Sequence, residues 1–236
     1  MTAIQTLGRP PAADWLRRRA YAGDLLVVRA PAPALRLVEQ IDADLRSAFA
    51  PHAPTAAQFA LEAGDWYALA ARLRAGTGRD PRARALMGEL FAHFGLDPAR
   101  TASDTVNLRA QPHADAPVAD PRHTLAAHRD TWASNVYSQI NWWMPVYPVT
   151  TGRTIAFFPR HWSRSIANDS ADWDLDAIRR ERRAARAEGR APAIRNTPEV
   201  TGELDPDEAM PVVVEPGDVL IFSGAHLHAR VPNASG

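Results

Sequence analysis

The sequence predicts a mainly β fold with flanking helices, of the α+β class, built as a single catalytic domain over residues 1–236. Three observations carry that reading. A chain of 236 residues with 46% hydrophobic content can bury one full core. Over the first hundred positions the apolar residues recur at helical spacing. From Ser103 onward they fall instead into short runs rich in β-branched and aromatic residues, separated by Pro, Gly and polar positions. Residues 1–102 are therefore expected to be mostly helical and residues 103–236 to form a β core, with a charged insertion at about 172–209.

Taken in order, residues 24–29 form an apolar run of strand character that Pro31 and Pro33 stop. Behind Pro33, which suits a first helical turn, Leu37, Val38, Ile41, Leu45 and Ala48 predict a helix over 34–49. Residues 55–73 carry Phe59, Trp66, Leu69 and Leu73, and predict one or two helices interrupted near Gly64. Asp80 is a cap before a first-turn Pro81; Leu86, Met87, Leu90, Phe91 and Phe94 then build an apolar face that ends at Gly95. These aromatic stripes read as core.

In the second half, strands are expected at 105–110, 124–131, 138–146 and 154–158, followed by closing strands at 210–214 and 219–222 around a turn at 215–218, where Pro216 and Gly217 allow a tight reversal. The insertion holds the arginine run 179–183, interrupted by Glu181, further Arg186, Arg190 and Arg195, and an acidic patch at 203–208. It reads as a solvated helix and loop, or more sharply as a lid or dimer contact that presents arginine to an anion.

Composition excludes several chemistries. No Cys is present, so disulfides, thiol nucleophiles and thiolate metal sites are ruled out. All 27 basic residues are Arg, which removes Schiff-base and P-loop lysine chemistry. A net charge of zero gives no support to a nucleic-acid partner. No signal segment or membrane-spanning apolar run stands out, so the expected setting is cytoplasmic and the expected partner a small molecule.

His and carboxylate remain as strong ligands, and His128 and Asp130 stand two residues apart. On an extended strand that spacing puts both side chains on one face. A second His arriving far downstream, at His226 or His228, could close a facial triad of two imidazoles and one carboxylate, a set that leaves open coordination positions and suits non-haem Fe(II).

The segments HRDTWASNVYSQINWWMP at 128–145 and PGDVLIFSGAHLHARVPN at 216–233 together resemble the phytanoyl-CoA dioxygenase-like branch of the Fe(II)/2-oxoglutarate-dependent oxygenases. That resemblance implies a double-stranded β-helix, a cupin-like jelly roll with iron at its mouth, and covers roughly 105–236. It implies that His128 and Asp130 are ligands and that His228, standing before a small residue and close to Pro-Asn, is the third, with His226 beside it as a substrate contact or rival ligand. Cofactors are then Fe(II), 2-oxoglutarate and dioxygen. A carboxylate at Asp130, where related halogenases carry Gly or Ala, implies hydroxylation or another oxidation of a small polar metabolite such as an amino acid or natural-product intermediate. The family's arginine for the cosubstrate would lie on a strand past the distal His, so the native chain is expected to continue beyond Gly236, with Arg109 and Arg230 as the visible alternatives.

Gln139, Asn141 and Trp143 alternate with Ile140, Trp142 and Met144, so Gln139, Asn141 and Arg109 are expected to bind the cosubstrate. Trp132 and Asn135, just past the first two ligands, are expected to meet substrate. Two other classes remain open: a cupin-like metalloenzyme doing hydrolysis or epimerisation, and a jelly-roll binding module without turnover.

Overall fold

The apolar run LLVV becomes strand β2 (Leu25–Val28), buried at every position. It is buried on both sides because β1 (Ile4–Leu7) pairs with it in parallel and β6 (Val219–Ser223) pairs with it antiparallel. Strand β3 (Ile140–Trp143) joins the far side of β6, giving a four-stranded sheet in the order β1-β2-β6-β3. A three-stranded sheet has β4 (Ile155–Phe157) at its centre, flanked by β5 (Met210–Val212) and β7 (His228–Arg230), both antiparallel to it. The computed structural model describes residues 3–97, 99–116, 119, 126–188, 197–231 and 233.

Alternation along the strands divides the large sheet into two apolar faces. On one, Leu26, Val28, Val219, Ile221, Ile140 and Trp142 meet Leu16, Ala34, Leu90 and Phe94 from the helices. On the other, Leu25, Val27, Leu220, Phe222 and Trp143 meet Phe157, Val212 and Val214. The order of layers is therefore helices, large sheet, small sheet, with a second helical cluster around Leu37, Ile41, Leu45, Phe49 and Trp66.

The helices follow their local signals. Helix α1 (Ala13–Tyr21) buries Leu16 and Ala20, one turn apart. Helix α2 (Ala32–Phe49) has Pro33 in its first turn and buries Leu37, Val38, Ile41 and Leu45. Helix α3 (Ala57–Ala60) is a single turn, and α4 (Ala63–Arg79) starts just before Gly64, so the break falls at Leu61 and Glu62 rather than at the glycine. Helix α5 (Pro81–His93) is capped by Asp80, whose carboxylate accepts from the Arg82 amide at 2.8 Å, and it ends against Gly95 at φ +65°.

Helix makes up about 42% of the described residues and strand about 14%, so the fold is mixed α+β rather than mainly β, and these residues form two small sheets with no closed barrel. Residues 105–110 form no strand; the residues after them meet Val231 and Asn233, where Ala114 N–H donates to Asn233 O at 2.7 Å and Gln111 Nε2 to Val231 O at 3.3 Å. Of the strand expected at 124–131, residues 124 and 125 lie outside the described residues, His128 makes one isolated bridge, and α6 (Asp130–Ser134) begins two positions later. Strand β1 and helix α1 carry too few periodic apolar residues to stand out in the sequence.

The insertion forms α7 (Leu175–Ala187), anchored by buried Ile178 and Ala185, with Arg179 and Arg180 on its exposed side near Asp176 and Asp174. This is the solvated-helix reading; Arg190 and Arg195 lie outside the described residues. Among the described residues no helix is long and apolar enough to cross a membrane.

Candidate metal centre

The site lies at one end of the space between the sheets. His228 opens β7 and pairs back to back with His128: each backbone N–H donates to the other's carbonyl, at 2.9 and 3.0 Å. That pairing sets the two imidazoles 4.5 Å apart, ring centre to ring centre. Asp130 then arrives from the first turn of α6, which folds its carboxylate back toward both rings. Its oxygens stand 3.5 Å from His128 Nε2 and 3.9 Å from His228 Nε2. All three donor atoms lie within 4.8 Å of one another, so the group could hold a metal ion. The shared face expected from strand alternation is thus reached differently, by a bridge residue and a helix start.

Main-chain carbonyls fix the tautomers. His128 Nδ1 lies 2.9 Å from Ala126 O, and His228 Nδ1 lies 3.0 Å from His226 O. A carbonyl only accepts, so each Nδ1 carries a proton, and in a neutral ring the Nε2 lone pair is left facing Asp130. This is how metal-binding imidazoles are commonly oriented. Burial pushes His228 down to about 4, so that ring is neutral at pH 7. Burial acts to raise Asp130, but the His128 hydrogen bond, the two imidazole charges and the Asn141 amide outweigh it and bring the carboxyl to about 2. With His228 neutral at pH 7, its Nε2 lone pair faces the half-buried Asp130 carboxylate. A carboxylate set beside an imidazole lone pair is a donor set for a cation.

The separations fit one. Two donors held about 2.1 Å from a common ion lie at most about 4.2 Å apart, which accommodates both 3.5 and 3.9 Å. Neither separation is a good hydrogen bond. Two imidazole nitrogens and one carboxylate, without thiolate, are a donor set that can hold a divalent metal ion and leave coordination positions open.

Behind Asp130 runs a chain of side-chain bonds. Asn141 Nδ2 donates to Asp130 Oδ2 at 2.5 Å, Gln139 Nε2 donates to Asn141 Oδ1 at 2.9 Å, and Ser134 Oγ donates to Gln139 Oε1 at 3.0 Å. Asn141 therefore directs its amide at the carboxylate, and Gln139, two residues earlier on the same face, holds Asn141. Gly224 lies against Gln139, where an added Cβ would stand 3.1 Å from the amide carbon. Ser134 carried no signal in the sequence beyond its nearness to Gln139.

His226 is not in the group. It sits in the turn before β7, with Nε2 at 3.1 Å from Gly23 O, Nδ1 at 3.1 Å from Ser223 O, and its ring against Trp162 at 4.5 Å. Burial lowers its pKa. It ties the end of the chain to the start of β2. Trp132 packs with Ala127, Phe158 and Leu227, with the Arg129 guanidinium 6.0 Å from its ring. Asn135 takes the left-handed conformation that ends α6, at φ +53°. Arg129, which sequence reasoning passed over, donates to the carbonyls of Ala225, His161 and Arg164 and so pins two other segments beside its own.

Arg109 and Arg230 border the site. Surrounding protein lowers Arg109, while the charge of Asp130 raises it. Arg109 is itself exposed. Burial and the neighbouring charges of Arg109 and Arg74 bring Arg230 down to about 10. The chain matches no protein-family model, and no curated protein matches it.

Proposed function

We propose that this protein is a non-haem Fe(II)/2-oxoglutarate-dependent oxygenase that hydroxylates, or otherwise oxidises, a small polar metabolite. The carrying observation is the donor set: two buried imidazoles whose Nδ1 protons are committed to carbonyls, with both Nε2 atoms aimed at one half-buried carboxylate. In this reading His128, Asp130 and His228 hold the iron, and the space between the sheets is the mouth of a double-stranded β-helix. Iron with 2-oxoglutarate and dioxygen supplies the oxidising power for C–H oxidation, the cosubstrate leaving as succinate and carbon dioxide.

The chain's own contribution is positioning and exclusion of water. Asn141, held by Gln139 and Ser134, keeps Asp130 in one orientation. Phe157 and Phe222 wall His228 on its apolar side. Arg109 supplies positive charge for the distal carboxylate of the cosubstrate. A carboxylate at Asp130 fills the position that a halide would need, so oxygen rather than halogen transfer is expected.

The test is anaerobic addition of Fe(II) and then 2-oxoglutarate to the full chain. A weak visible absorption band that requires both components, and that disappears in Asp130→Ala, supports the assignment. Iron binding without any such band would instead favour non-oxidative metal chemistry at the same three residues.

A further inference from the structure

Three arginines gather beside the metal centre, and main-chain bonds bring them there. Arg230 follows His228 by two positions on β7, which puts both side chains on one face of the strand about 7 Å apart. Gln111 and Ala114 bond to Val231 and Asn233 just past that strand, which places Arg109, two residues before Gln111, close to Arg230. Arg74 is fastened to the same segment, its Nε donating to Leu108 O at 3.1 Å. Among the described residues no carboxylate lies within ion-pair distance of any of the three. The opposite charge felt by Arg109 is that of Asp130, which the metal would claim.

Three guanidinia without a carboxylate partner, Arg74 and Arg109 exposed and Arg230 half-buried, make a positive patch that attracts an anion. A guanidinium fork takes one carboxylate in bidentate fashion, so three guanidinia exceed what the single distal carboxylate of a dicarboxylate cosubstrate requires. Resting on the oxygenase reading above, we propose that the substrate is itself an oxyanion, a carboxylate or phosphate ester, and that Arg230 and Arg74 hold its charged group while its carbon skeleton extends toward the metal. The strand spacing sets the scale: the oxidised carbon lies a few bonds from the anionic group. The substrate class is thereby narrowed from any polar metabolite to small anionic ones.

Inorganic phosphate and acetate serve as probes, with Arg Nε–Hε NMR shifts and melting temperature of the full chain as readouts. Phosphate should bind the metal-free wild-type protein and raise its melting temperature, and Arg230→Gln and the more exposed Arg74→Gln should each weaken binding by roughly tenfold. Arg74→Gln should leave metal affinity unchanged. Acetate binding with the same dependence identifies carboxylates as acceptable; acetate failing where phosphate binds assigns the site to phosphate esters. Phosphate binding should also persist under anaerobic saturation with Fe(II) and 2-oxoglutarate. Displacement of phosphate by 2-oxoglutarate would give the cluster to the cosubstrate and overturn the proposal, as would binding indifferent to both substitutions. Absence of the visible band, with Arg230-dependent phosphate binding intact, would remove the oxygenase reading and leave the anion site standing.

Discussion

The two faces of the large sheet use the same strands for different ends. Toward the helices, Ile140 and Trp142 of β3 and Val219 and Ile221 of β6 meet only apolar neighbours, and Trp142 packs edge-on against Phe94 at 4.7 Å and Phe91 at 5.3 Å. Toward the small sheet, Trp143 continues an apolar layer, but Asn141 turns its amide to Asp130 and the metal centre begins. One residue step along β3 separates a side chain that stabilises from one that orients a ligand. Stability and function should therefore be separable by substitution on opposite faces.

The largest expected effect is on the helical face. Phe94 is about 1% exposed and fills the junction of α5 with the sheet, so Phe94→Ala should cost about 3–5 kcal/mol of unfolding free energy. Denaturant unfolding measures the loss, and metal affinity of the remaining folded protein should match wild type. A parallel loss of metal affinity would mean that the faces are coupled and the comparison fails.

How much of this was legible follows from where each signal sits. The core strands β2, β4 and β6 announced themselves as apolar runs, and Asp80 and Gly95 marked α5 correctly, because those signals are local. His128, Asp130 and His228 were singled out from spacing and resemblance, and the structure brings them together. The geometry of Asp130 was not legible: a His and an Asp two apart suit a strand face equally with a bridge followed by a helix start, and Asp is at home in a first turn. His226 and His228 could not be separated on period 2, because the chain is still in a turn at His226 and becomes a strand only at His228. The arginine cluster was beyond reach as a cluster. Its members come from three distant segments joined by bonds from the Arg74 and Gln111 side chains to carbonyls far away in sequence, which no local pattern encodes.

Those two histidines give the second prediction. Both are buried, yet His226 has its nitrogens on carbonyls while His228 keeps Nε2 for Asp130. His228→Ala should lower Fe(II) or Zn(II) affinity by more than about 100-fold, since loss of a ligand exceeds the 10–100-fold typical of its supporting partners. His226→Ala should lower melting temperature but leave metal affinity within a few-fold of wild type. Calorimetric titration on both variants decides it; a reversed order would move the third ligand to His226.

Next in size is the support behind the carboxylate. Asn141→Leu removes the amide from Asp130 and should reduce metal affinity roughly 10–100-fold, with little change in the apolar packing of Ile140 and Trp142 on the opposite face. The same titration, paired with thermal unfolding, separates the two. Gly224→Ala should act in the same direction more weakly, by pressing on Gln139 at the start of the chain of amides.

The smallest expected effect tests whether a polar contact on the helical side stays purely structural. Tyr147 donates its hydroxyl to Asp42 Oδ1 of α2 at 2.7 Å, joining the segment after β3 to the helices. The bonds from Arg46 and Tyr147 hold the Asp42 carboxyl below its ordinary value. A carboxyl lowered on folding adds stability above its unfolded pKa, near 3.9, and that contribution is lost as pH falls through the lower folded value. Tyr147→Phe should therefore cost about 0.5–1 kcal/mol at pH 7, modest because the pair is partly solvated, and should shrink the stability lost on acidification below pH 4. Unfolding measured at pH 7 and pH 3 reads both quantities. Metal affinity at pH 7 should not move, because the Asn141 amide that orients Asp130 lies on the opposite face of β3 from Ile140 and Trp142.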